Sequence, residues 1–128
     1  MKKEFLIGLL PPVINQDLLI KEDQETGDII REVVEAHKAF RKDYERIATF
    51  FEDKDIRDTQ ENIFFFLKTN IAYQVETEQA QTTKSPGRLL IEGHGDCKHY
   101  STFTAGICDA LGLDWKYRNS PFTAPLCY

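Results

Sequence analysis

The hydrophobic pattern is weak at the start of the chain and turns helical from residue 28. Ile29, Ile30, Val33, Val34, Phe40, Tyr44, Ile47, Ala48 and Phe51 follow at three- and four-residue steps, the spacing that lines one helix face with apolar side chains. Asp28 is placed to cap that helix by accepting an amide hydrogen, and Glu32 lies near the positive end of its dipole. His37 falls at the edge of the stripe, where the expected role is a packed histidine that touches solvent. A second helix is expected from Asp58, because Asp58-Thr59-Gln60-Glu61 has the form of a capping box. Ile63, Phe64, Phe66, Leu67 and Ile71 then make its buried face. Three consecutive phenylalanines cannot share one face, so Phe65 is expected to meet another element.

Ile71 to Val75 reads as extended chain and residues 76–84 as a polar loop. Ser85-Pro86-Gly87 marks a helix start, with Pro86 suited to the first helical position and Arg88 to Ile91 long enough for one turn. The last helix is expected from Cys97 to Leu111. Tyr100, Phe103, Ile107, Cys108 and Leu111 line one face, and Gly112 is placed to end it in the left-handed conformation. Leu113, Trp115 and Tyr117 then alternate with Asp114, Lys116 and Arg118, which predicts a half-buried strand. Ahead of residue 28, Phe5 to Leu10 is stopped by Pro11-Pro12, which breaks any early helix, and residues 22–27 are polar. Residues 1–27 therefore read as a lead-in, and residues 28–128 as one α+β domain in which helices predominate.

Composition narrows the partners. The 41% of hydrophobic residues include nine Phe and five Tyr, enough for a packed core and against disorder. The net charge of −5 comes from the first half of the chain, and nowhere is there a basic stripe to track phosphates, so nucleic acid is not an expected partner. The early apolar run is too short to span a bilayer, and no small-residue cleavage site follows it, so neither a membrane partner nor secretion is expected. An odd cysteine count, Cys97, Cys108 and Cys127, is no disulfide framework and fits a reducing cytoplasm. No nucleotide, flavin or haem motif is present, so no cofactor is implied.

The chemistry-bearing segment is Gly93-His94-Gly95-Asp96-Cys97-Lys98. Its glycines allow a tight backbone approach, and a helix is expected to open at the cysteine. A thiol at a helix N-terminus lies among unpaired amide hydrogens and the positive end of the dipole, and both favour the nucleophilic thiolate. The amides of the Gly95–Asp96–Cys97 turn, that of Cys97 included, are placed to stabilise an oxyanion. Asp96 is better suited to cap this helix than to act as a catalytic acid. Lys98 either raises thiolate character or is a solvated charge. Gln74, Gln79 and Gln81 are further amide donors that nothing in the pattern selects among. His94, Cys97, His99 and Cys108 do not have zinc spacing, and ligands on opposite faces of one helix cannot converge, so no metal site is expected.

This segment, with Tyr100-Ser101 and an apolar helix ending Leu111-Gly112-Leu113, resembles the nucleophile motif of transglutaminase-like domains, papain-related cysteine enzymes that act on amide bonds. Asn70-Ile71-Ala72-Tyr73, Pro86 and Leu89-Leu90 fit the segments that precede the motif, so the resemblance runs from Asp55 to Arg118. It implies the N-terminal part of a papain/transglutaminase-like fold, a nucleophile helix followed by one strand. It also implies that Cys97 attacks a peptide or protein amide, forms a thioester and passes the acyl group to water or an amine. The family's His and Asp stand on later strands. This sequence has only His37, His94 and His99, and residues 119–128 hold neither His nor Asp. The departure implies an incomplete domain, weakly active or inactive alone. The alternative is a non-catalytic binding or scaffold module that keeps the fold without the chemistry.

Overall fold

A computed structural model of the chain describes residues 2–11, 18–20, 38–76 and 81–113. Residues 28–37 of the first expected helix, His37, Cys127 and the expected strand beyond Leu113 lie outside them. The described part is helix-rich, with two small two-stranded sheets.

The lead-in does hold a helix. α1, Lys3–Ile7, is complete at Gly8, before the prolines act, and Leu6 is wholly buried in the main core. α2, Arg41–Ile47, is separated from the helical turn ahead of it at Phe40, whose φ of −105° and ψ of 22° leave the helical region. The stripe read as one continuous helix is thus broken at that residue. α2 tightens into a 3-10 turn, Ala48–Phe51, which buries Ala48 and Phe51.

α3, Ile56–Asn70, starts earlier than expected. The cap is Asp55, not Asp58: its extended backbone leaves the side chain free to accept the Asp58 amide at 2.8 Å. Asp58 is already helical and lends its charge to the positive end of the dipole. Thr59 is buried, its hydroxyl donating to the Asp55 carbonyl and accepting the Asp53 amide. Ile63, Phe66 and Leu67 face the core. Phe65 meets no covering element among the described residues and is 72% exposed, which corrects the expectation for it.

β2, Ala72–Tyr73, leaves α3 directly. β3, Gln81–Thr83, pairs antiparallel with β1, Leu18–Ile20, so the segment read as loop contains a strand. Gln-Thr-Thr has no apolar alternation, and only the partner reveals it. α4, Pro86–Glu92, follows the turn signal closely: the Ser85 hydroxyl accepts the Arg88 amide, and Gly93, at φ 75°, ends the helix in the left-handed region. β4, His94–Gly95, then pairs parallel with β2, setting Ala72 opposite His94 and Tyr73 opposite Gly95.

α5, Cys97–Ala110, is the central helix, buried from Lys98 through Cys108. Phe103 meets Phe51 and Tyr44 edge-on and stacks on Phe66 at 6.0 Å between ring centroids. Tyr44 packs flush on Gly106, where a Cβ would overlap its ring. The helix ends as expected, with Gly112 at φ 72° and the Leu113 amide returning to the Cys108 carbonyl at 2.9 Å.

Candidate functional site

The site is assembled where three local rules meet. The parallel bridge brings β2 against β4: the Ala72 amide donates to the Gly93 carbonyl and the Gln74 amide to the Gly95 carbonyl, each at 2.8 Å. The chain then turns at Asp96 into α5, and Cys97 occupies the first helical position. Gly95 and Asp96 are buried, while Cys97 is partly exposed and carries a thiol rather than a disulfide. The sulfur is therefore neither sealed in apolar packing nor placed midway along a helix, the two arrangements that would deny it nucleophilic use.

Asp96 is the cap, as its position suggested. Its carboxylate accepts the Lys98 amide at 3.1 Å, and its own amide donates to His99 Nδ1 at 3.0 Å, a reciprocal capping box with histidine in the usual Glu or Gln place. Lys98 is not a solvated charge. Its side chain is 3% exposed, and Nζ lies 2.7 Å from Glu76 Oε1 and 3.2 Å from both Asp96 carboxylate oxygens. Burial pushes the Asp96 carboxyl up, but the His99 ring and the Lys98 ammonium outweigh it and hold the group well below its ordinary range.

His99 is buried beneath this network and faces away from any catalytic use. Its Nδ1 lies 3.1 Å from Asp96 Oδ1, and its Nε2 faces Glu76 Oε1 at 3.6 Å. His94 is half-buried in β4, and its carbonyl accepts from Lys84 Nζ at 3.1 Å. Lys84 is in turn paired with Glu92 at 2.7 Å.

Two residues that sequence reasoning did not single out complete the site. Tyr73, placed by the β2–β4 bridge, has its hydroxyl in hydrogen-bond range of both the side chain and the backbone amide of Cys97. Its ring rests edge-on against Tyr100, whose own hydroxyl donates to the Ile71 carbonyl at 2.6 Å. Burial raises the Tyr73 pKa, and the neighbouring Cys97 side chain raises it further, so it stays a neutral O–H donor. Glu76 is the other: its side chain meets Lys98 and His99, and its amide reaches Asp96 Oδ2 at 3.4 Å. Ala72-Tyr73 and His94-Gly95 are too short to advertise a parallel bridge, so neither contact had a sequence signal beyond the extended reading of residues 71–75.

Glu76, Asp96 and His99 offer ligand atoms within 4.8 Å of one another. The geometry argues against a metal, because the Lys98 ammonium already lies between the two carboxylates and supplies the cation. Cys108, eleven residues further along α5, is buried in the core, its thiol pushed up to about 12 by burial, so it cannot join Cys97 as a ligand.

No known family model, curated protein or solved structure matches this chain. The site's chemistry rests on its own geometry. Among the described residues, no helix is long and apolar enough to cross a membrane.

Proposed function

We propose that the chain is a transglutaminase-like thiol enzyme, in a papain-related fold, with Cys97 as its nucleophile. The observation that carries this reading is a partly exposed thiol at the first position of a buried helix, with a phenol hydroxyl beside it. The thiolate attacks the carbonyl carbon of a peptide or protein amide. Charge then gathers on the carbonyl oxygen, where the Cys97 amide and the Tyr73 O–H are available as donors. Collapse gives a thioester and expels an amine, and water or a second amine takes the acyl group.

Expulsion of the amine needs a proton, and the family draws it from a histidine on a later strand. The His99 ring is taken up by the Asp96 amide, and the His94 ring has no assigned catalytic contact, so this chain alone should cut amides poorly. An ester with an acidic phenol leaving group needs no such proton. An odd count of three cysteines, with Cys97 and Cys108 in no disulfide, supports a reducing, cytoplasmic setting.

The test uses p-nitrophenyl acetate and iodoacetamide on the whole chain near neutral pH, with modified sites read by mass spectrometry. Expected are acetylation at Cys97 without amide turnover, and alkylation of Cys97 ahead of Cys127. Equal or slower reaction at Cys97 would favour a binding or scaffold module.

A further inference from the structure

The turn that carries Cys97 leaves β4 directly, so its orientation depends on how β4 is held. One edge of β4 is the bridge to β2, where the carbonyls of Gly93 and Gly95 accept the Ala72 and Gln74 amides. Successive carbonyls along a strand point to opposite edges, so that of His94, between them, faces away from β2. It is taken by a side chain, the Lys84 ammonium at 3.1 Å. The faces of β4 leave little slack. A Cβ on Gly95 would meet His99 of α5 and Leu89 of α4 at 2.9–3.0 Å, so the direction of the β4 peptides is set by what lies on its two edges.

Lysine is seldom buried without a partner, and the Lys84 side chain is 4% exposed. The residue stands between β3 and Ser85, the cap of α4, yet its Nζ lies 2.7 Å from Oε1 of Glu92, the last residue of that helix. The other oxygen of Glu92 accepts from Arg88 Nε at 3.2 Å. One ammonium therefore ties the chain entering α4 to the chain leaving it, and fixes the first peptide of β4 as it does so.

We propose that Lys84 is a positioning residue for Cys97, holding the outer edge of β4 and so aiming the Cys97 amide at the carbonyl oxygen of the substrate. This rests on Cys97 being the nucleophile. Lys84 acts through the His94 peptide and takes no part in the chemistry itself.

Two reagents separate aim from bare reactivity. Acetylation by p-nitrophenyl acetate passes through an oxyanion and needs the Cys97 amide in place, whereas alkylation by iodoacetamide displaces iodide and forms none. Both rates at Cys97 are read by mass spectrometry in the full chain, for the native protein, Lys84→Met and Lys84→Arg. Lys84→Met should lower the ratio of acetylation to alkylation by about 10-fold, and Lys84→Arg, which keeps a charged donor, should restore most of it. An unmoved ratio in folded Lys84→Met overturns the proposal, because a lysine that only stabilised the fold would leave it unchanged. If that variant does not fold, Glu92→Gln decides. Loss of the anchor for the ammonium should then lower the ratio by about 3-fold, and an unmoved ratio overturns the proposal. A native Cys97 that takes no acetyl group overturns the nucleophile reading and this one with it, whereas an unmoved ratio at an acetylated Cys97 overturns this one alone.

Discussion

The two ends of α5 are buried to a similar depth by opposite means. Its later turns press Phe103, Ile107 and Cys108 into a packed cluster with Tyr44, Phe51 and Phe66, where stability comes from apolar area and close fit. Its first turn buries Lys98 and His99 with Asp96 and Glu76 alongside, where charges are tolerated only because each finds a partner. The later end is shape and the opening end is charge. The packed end depends on close fit, while the charged end depends on the pairing of its ions. The difference predicts that the two should fail differently when a side chain is removed.

Phe103→Ala should break the packed end most severely. The ring is fully buried and touches three other aromatic rings, so its loss leaves a cavity and costs about 4 kcal/mol in urea unfolding, with little dependence on pH. Lys98→Met should cost about 3 kcal/mol at neutral pH, because it leaves the Glu76 and Asp96 carboxylates facing one another without their cation. Here the pH dependence is the signature. In the native chain the depressed Asp96 group contributes stability above its unfolded value of 3.8, which is lost as pH falls through the folded value. Without Lys98 that folded value rises, and protonation relieves the repulsion. The gap between variant and native protein should therefore shrink from about pH 7 to about pH 4. A gap constant with pH would mean that Lys98 acts as packing, not as charge.

The packed end was the more legible in sequence, and for a physical reason. Tyr100, Phe103, Ile107 and Cys108 repeat at helical spacing, and Gly112 and Pro86 carry backbone preferences that act within a few residues. Asp96 as a cap and Cys97 as the opening residue are likewise local. What stayed hidden depends on contacts between distant segments. Glu76 looks like one polar residue in a polar stretch until the β2–β4 bridge sets it against Lys98, twenty-two residues on. Phe65 looks like core until Phe66 and Leu67 have taken the inward side of α3. Asp55 and Asp58 offer equivalent side chains, and the choice of cap fell to the backbone at Asp55.

Cys108 sharpens the comparison by a smaller amount. Burial pushes its thiol from 9.0 to about 12, so the folded chain holds it neutral where the unfolded chain would ionise it. Its contribution is fully present below about pH 9 and is lost as pH rises toward about pH 12, about 1 kcal/mol being gone by pH 10. Cys108→Ala should flatten the alkaline limb of a stability-against-pH curve by that amount. An unchanged limb would show that this thiol meets water.

The smallest effect on stability should come from Cys97, the proposed nucleophile. Cys97 is only partly buried and stands at the first helical position, where its side chain closes no gap in the core and its backbone, not its sulfur, enters the helix. Cys97→Ser keeps a small polar group at that position, and the Asp96–His99 capping box that organises the turn is untouched. Stability should therefore change by within about 0.5 kcal/mol. Acetylation by p-nitrophenyl acetate at this position should vanish, because a hydroxyl without a base beside it is a far weaker nucleophile than a thiolate. A loss of several kcal/mol would mean that the sulfur is part of the foundation. The contrast between the two ends of α5 would then disappear, since both would exist to hold the fold.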